Sequence, residues 1–236
     1  MGASTGLRLI FEIQIPNYNY IRMNSKTKAV TYTTQNSYTT LNSLNSETKN
    51  VWVVFHGIGY LSRYFLKYFN ELNAKENYII APQAPSKYYL NDTYRHVGAS
   101  WLTKEDTNQE TENVIQYIDA VLHAEAIPER CNLIVFGFSQ GVSIATRWIA
   151  KKTLNCNKLI LYAGGLPKEL TPEDFEHLAA NETEVNIIIG DKDGYITPER
   201  LIIEEEKATS LFRGRAKAIR FTGGHEVKKE IINSLV

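Results

Sequence analysis

This sequence is poor in the features that usually assign a chain quickly. It has two cysteines, Cys131 and Cys156, in no C-x-x-C pair and beside no cluster of histidines. That argues against a zinc site and against a disulfide framework. It has no net charge, 26 basic residues balancing 26 acidic ones. Bulk electrostatics therefore draw it neither to nucleic acid nor to an anionic membrane. No apolar run approaches the roughly 20 residues that span a bilayer. The segment Leu7 to Ile15 is broken by Arg8 and Glu12 and lacks a clean cleavage site, so it does not read as a signal peptide. No period of about 20 to 50 residues recurs, and no low-complexity linker divides the text. The expectation is a cytoplasmic chain that uses no metal and no cofactor, with no nucleic-acid partner and no membrane span.

What is present suffices for one domain. Of the 236 residues, 43% are hydrophobic and 22% charged, ordinary values for a globule with a sizeable core. Residues 1–25 show neither alternation nor a helical stripe and read as a poorly ordered extension, with Met23 an alternative start. The domain proper is expected over 26–236. Alternation over Ala29–Thr34 and Tyr38–Leu41, around Gln35-Asn36-Ser37, predicts a β-hairpin with one wet face. Continuous apolar runs, Val51–Phe55, Tyr78–Ile80 and Leu133–Phe136, and further strand patterns, Lys158–Tyr162, Val185–Ile189 and Ala216–Phe221, recur between helical patterns. Strands that are apolar throughout are buried on both faces, which predicts an α/β fold with a mostly parallel sheet covered by helices. The helices are expected over Leu61–Leu72, Glu105–Ala124, the segment behind Ser139, Thr171–Ala180, Pro198–Phe212, and from Glu226 onward. Ser86–Thr103, rich in tyrosine, reads as a long loop.

The chemistry lies where strands end. Leu133–Phe136 runs straight into Gly137-Phe138-Ser139-Gln140-Gly141, and a helical pattern with Val142, Ala145, Ile149 and Ala150 on one face follows. Strand, G-x-S-x-G, helix is the setting of a nucleophile elbow. The serine is held in a strained turn whose neighbours must lack side chains, and the helix behind it offers free N–H groups to a developing anion. A lone serine is a weak nucleophile, so it needs a base, and the base needs a carboxylate to hold its tautomer. His225, after Gly223-Gly224, is the one histidine beyond the acid-bearing loop Gly190-Asp191-Lys192-Asp193. Asp191 and Asp193 are both available. Asp193 is preferred because it stands just before a turn into the proline-started helix at Pro198. The order serine, acid, histidine is the α/β-hydrolase order. His56, which precedes the serine, reads as a structural residue of the loop His56-Gly57-Ile58-Gly59. The amides of Ile58 and Gln140 are the expected oxyanion donors.

Taken together, Phe55–Gly59, Ala81-Pro82-Gln83-Ala84-Pro85, Ser100-Trp101, Gly137–Gly141, Gly190–Asp193 and Gly224-His225 give the chain a family likeness. It resembles the phospholipase/carboxylesterase family of α/β-hydrolases, the acyl-protein thioesterase-like group. The resemblance implies a serine carboxylesterase or acyl thioesterase with Ser139, Asp193 and His225 as triad, Trp101 near the acyl pocket, and Gly57 and Phe138 at the substrate site. It implies an ester of a small molecule or an acyl chain as substrate. Ala163 to Val185 leaves room for one short helix, which predicts a site without a cap domain, walled on one side by the tyrosine-rich loop. A catalytically silent module of the same fold, or a hydrolase of a dienelactone or peptide ester, would use the same scaffold. Retention of both serine and histidine favours an enzyme.

Overall fold

The computed structural model describes residues 26–236, and the expected extension over 1–25 lies outside the described residues. Residues 26–35 belong to a first compact unit and carry no helix or strand, so the anticipated hairpin does not form. Val30 and Tyr32 stay largely exposed. Alternation without an apolar surface to cover does not stabilise a strand.

Asn36–Val236 form the second unit. Its elements are β1 (Tyr38–Leu41), β2 (Asn50–Phe55), α1 (Ser62–Phe65) continued by a 3₁₀ turn (Leu66–Phe69), β3 (Asn77–Pro82), β4 (Ser86–Tyr89) and β5 (Val97–Ser100). Then come α2 (Thr107–Glu125), β6 (Asn132–Phe138), α3 (Gln140–Lys152), β7 (Lys158–Tyr162), a 3₁₀ turn (Pro172–Phe175) leading into α4 (Glu176–Ala180), β8 (Glu184–Gly190), α5 (Pro198–Leu211), β9 (Lys217–Phe221) and α6 (Lys229–Asn233). Among the described residues the main sheet has seven strands in the order β1-β3-β2-β6-β7-β8-β9. Only β1 runs antiparallel, pairing Tyr38–Leu41 with β3. This is the α/β-hydrolase architecture.

The runs read as strands are buried as alternation across a pleat requires. Val51, Val53 and Phe55 of β2 enter the core beneath α2 and α3. Trp52 and Val54 enter the opposite core, against α1, its 3₁₀ extension and α6. The three indoles are buried with their N–H groups satisfied, by Asn77 (3.0 Å), His56 carbonyl (2.8 Å) and Asp119 (2.9 Å) for Trp52, Trp101 and Trp148. Burial of an indole requires such a partner.

The tyrosine-rich loop is a hairpin. Ser86–Tyr89 pair antiparallel with Val97–Ser100, as a two-stranded sheet apart from the main one. Every side chain of β4 is exposed, which is why no period-two pattern announced it. The segment Ala163–Val185 carries only the short turn and α4, so no cap domain is inserted there. No helix among the described residues is long and apolar enough to cross a membrane.

Candidate active site

Strand β6 passes directly into α3 through one residue, Ser139, with φ 53° and ψ −117°. That conformation is strained for any residue with a Cβ and is held by its surroundings. Ser139 N–H donates to Tyr162 carbonyl of β7 (2.9 Å). The flanking glycines are a matter of space. A Cβ on Gly137 would stand 2.5 Å from Gly141 carbonyl oxygen, and one on Gly141 would stand 2.1 Å from Phe55 carbonyl oxygen. The turn crosses so close to its own backbone and to β2 that no side chain fits.

Two further strand ends meet the serine. The turn after β8 carries Asp193, whose side chain has no exposed surface. The loop after β9 carries His225. Ser139 Oγ lies 2.9 Å from His225 Nε2, and His225 Nδ1 lies 2.7 Å from Asp193 Oδ2. The other Asp193 oxygen accepts from Tyr195 N–H (2.9 Å), which fixes the carboxylate plane. Asp191 points elsewhere and accepts from Gly223 N–H (3.0 Å). The imidazole is flanked by Phe138, tilted against it (ring centroids 5.1 Å apart), and by Tyr195, which meets it edge-on (4.8 Å). The structure thus brings together a hydroxyl, an imidazole and a buried carboxylate, in the relay that activates a serine.

The loop after β2 is anchored by His56. Its ring is fully buried, with Nδ1 donating to Gly57 carbonyl (2.8 Å) and Nε2 accepting from Ala84 N–H (3.2 Å). Only the neutral ring can donate at one nitrogen and accept at the other. Burial, opposed by the bond to Gly57, lowers its pKa to about 4. Gly59 N–H donates to Ala99 carbonyl of β5 (2.9 Å), so the hairpin holds the loop from outside.

Gln140 ties the same hairpin to the serine turn. Its Oε1 accepts from Trp101 N–H (2.8 Å), and its Nε2 donates to Leu102 carbonyl (2.7 Å) and Ser100 Oγ (3.1 Å). A role for the Gln140 side chain was not foreseen, although Gln140 and Ser100-Trp101 stood side by side among the matching motifs. Trp101, expected beside the acyl pocket, is placed in the core. It has no exposed surface, packs edge-on against Phe55 (5.6 Å) and bonds to His56 carbonyl.

A cleft of about 860 Å³ opens at Ser139 and His225. Gly57, Ile58, Phe138 and Gln140 line it, as expected of site residues, but Trp101 and the hairpin do not. Its far wall is α5 with the loop Ala163–Lys168, so the wall expected from the tyrosine-rich segment is supplied from the other side. Among the described residues no three His, Cys, Asp or Glu side chains are grouped to hold a metal ion.

No curated protein matches this sequence. Solved structures share the fold. Acyl-protein thioesterase 2 of Zea mays superposes with TM-score 0.64 at 16% identity, covering 85% of this chain and 96% of its own. Esterase PE8 gives 0.61 at 21% identity, covering 86% and 98%. A phospholipase/carboxylesterase from Dyadobacter fermentans gives 0.59 at 21% identity, covering 86% and 97%. The phospholipase/carboxylesterase family model matches residues 36–235, nearly the whole second unit, and the chain belongs to that family.

Proposed function

We propose that the protein is a serine hydrolase of carboxylic esters or thioesters that works through an acyl-enzyme. The observation that carries this reading is the continuous relay from Ser139 Oγ to His225 Nε2 and from His225 Nδ1 to the buried Asp193. Ser139 attacks the acyl carbonyl while His225 takes its proton and passes it to the departing alcohol or thiol. Asp193 holds the imidazole in the required tautomer and stabilises the cation it becomes. The amides of Ile58 and Gln140, both at the cleft beside Ser139, hold the oxyanion. Water, deprotonated by the same histidine, then releases the acid. The same scaffold in silent form would lack an activated serine, so covalent labelling separates the two.

The test is intact mass after incubation with a fluorophosphonate, wild type beside Ser139→Ala. One adduct on the wild type alone is expected. A folded wild type that takes no adduct would falsify the assignment and leave a binding module.

A further inference from the structure

The two N–H groups assigned to the oxyanion stand on separate segments, Ile58 on the loop after β2 and Gln140 at the start of α3. Donors of this kind work by being held in place before charge develops. Burial does not hold the first of them. Ile58 is exposed, it lies between Gly57 and Gly59, and its N–H meets no acceptor among the described residues. Gln140 N–H, the first of its helix, has no intrahelical acceptor. A part of the fold outside both segments must set the distance between them.

One stretch touches both, the end of β5 and the two residues that follow it. On the Ile58 side, Gly59 N–H donates to Ala99 carbonyl (2.9 Å), and the Trp101 indole N–H donates to His56 carbonyl (2.8 Å). The backbones are in contact there, since a Cβ on Gly98 would stand 2.5 Å from Gly59 carbonyl oxygen. On the other side the grip is the Gln140 carboxamide. Its oxygen accepts from Trp101 N–H (2.8 Å), and its nitrogen donates to Leu102 carbonyl (2.7 Å) and Ser100 Oγ (3.1 Å). Reversing the carboxamide would set N–H against N–H and carbonyl against carbonyl, so a single orientation fits. Ser100, Trp101 and Leu102 are buried, which shelters these bonds from water.

We propose that the Gln140 side chain is a positioning residue for the oxyanion hole. By gripping Ser100, Trp101 and Leu102 it fixes its own backbone N–H against that of Ile58, which the same stretch holds through Gly59 and His56. The inference rests on the hydrolase reading above and adds to it a side chain that acts through two amides. Loss of the grip leaves Ser139, His225 and Asp193 in place and lets the two donors drift apart as the tetrahedral oxygen forms. The chemical step slows, while binding of the ground-state ester, which does not depend on the oxyanion contact, is spared.

The experiment compares wild type with Gln140→Met, an unbranched side chain without a strong hydrogen-bonding group, and uses circular dichroism to show that both fold. Three quantities are read: kcat and KM for p-nitrophenyl acetate, their pH profile, and inhibition by phenylboronic acid. The boronic acid reports the hole separately: Ser139 Oγ adds to boron, the hydroxyl proton passes to His225, and a boron-bound oxygen takes the oxyanion position. Gln140→Met should lower kcat by about 10- to 100-fold, somewhat less than removal of a whole donor. KM should stay within about twofold, and the boronic acid Ki should rise in step with the fall in kcat. The pH midpoint should not move, because the His225–Asp193 pair is untouched. A folded Gln140→Met within about threefold of wild type in kcat/KM overturns the proposal. So does a loss carried by KM, a loss of kcat with Ki unchanged, or a shifted pH midpoint. Each of these spares the hydrolase reading so long as Ser139 takes the fluorophosphonate. Failure of wild type to label overturns both. Should Gln140→Met not fold, Gln140→Glu, which keeps the bond from Trp101 N–H and loses both donors, is scored by the same readouts.

Discussion

On one face of the sheet, the end under α2 and α3 is filled by Phe55, Trp101 and Trp148, with ring centroids 5.6 and 5.8 Å apart and no more than 1% of any ring-bearing residue exposed. On the same face, the end under α5 presents Ile187, Ala216 and Ala218 to a cleft. Helix α3 is attached by burial along its length, whereas α5 buries only Ala208 and Leu211 near its end and is otherwise held by hydrogen bonds to Leu166 and an ion pair to Arg220. The packed end fixes the serine turn and the loop of His56–Gly59. The open end leaves a cleft beside them. A domain of this size can therefore be rigid where geometry matters and unfilled where a ligand must enter.

The comparison can be broken or sharpened by experiment. The largest effect belongs to the relay itself. Asp193→Asn should lower kcat/KM for any cleaved ester by about 10⁴-fold, the size expected when the histidine loses its tautomer; steady-state kinetics with the stability unchanged would show it. Next is the packed end. Trp148→Ala should cost about 3 to 5 kcal/mol in urea denaturation, through the cavity left in the core.

The third test is pH. His56 is held with its pKa lowered to about 4 by burial, against an unfolded value near 6.5. Below about 6.5 the unfolded chain binds a proton that the folded one refuses, so stability is full above that pH and is lost as pH falls towards about 4. The loss approaches about 3 kcal/mol by linkage. Urea midpoints between pH 7 and 4 measure it, and His56→Gln should flatten that part of the curve. Fourth comes the open end, where Ile187→Ala should cost only about 1 kcal/mol, because one side of Ile187 already faces the cleft. Smallest is Glu204→Gln, which should shift stability by less than about 1 kcal/mol, since the amide oxygen can still accept from Leu166 N–H. Equal costs at Trp148 and Ile187 would erase the contrast.

What was legible from sequence follows the same division. β2, β3 and β6 announced themselves because parallel strands buried on both faces are apolar almost without interruption, and β7 to β9 because strand patterns recurred between helical ones. The meeting of Ser139, Asp193 and His225 was legible because the order serine, acid, histidine at successive strand ends brings such side chains together. The hairpin was not, since Ser86–Tyr89 point every side chain to solvent and are held by backbone pairing and by Gln140. Nor was the wall that α5 gives the cleft. Glu204 and Lys207 look like a solvated helix face, and only their meeting with Leu166 backbone gives them a role. Trp101 was placed by motif beside the substrate, whereas its bulk and its single N–H suit it to the core.

Gln140 serves two masters. Its backbone begins the helix behind the serine, while its side chain closes the base of the β4–β5 hairpin. The hairpin is thereby divided into a base that cannot be altered without disturbing the turn and a tip, Leu90 to His96, that is free of this tie. Grafts, tags or reporter sequences belong at that tip, and swapping the whole hairpin between relatives would carry the serine turn along with it.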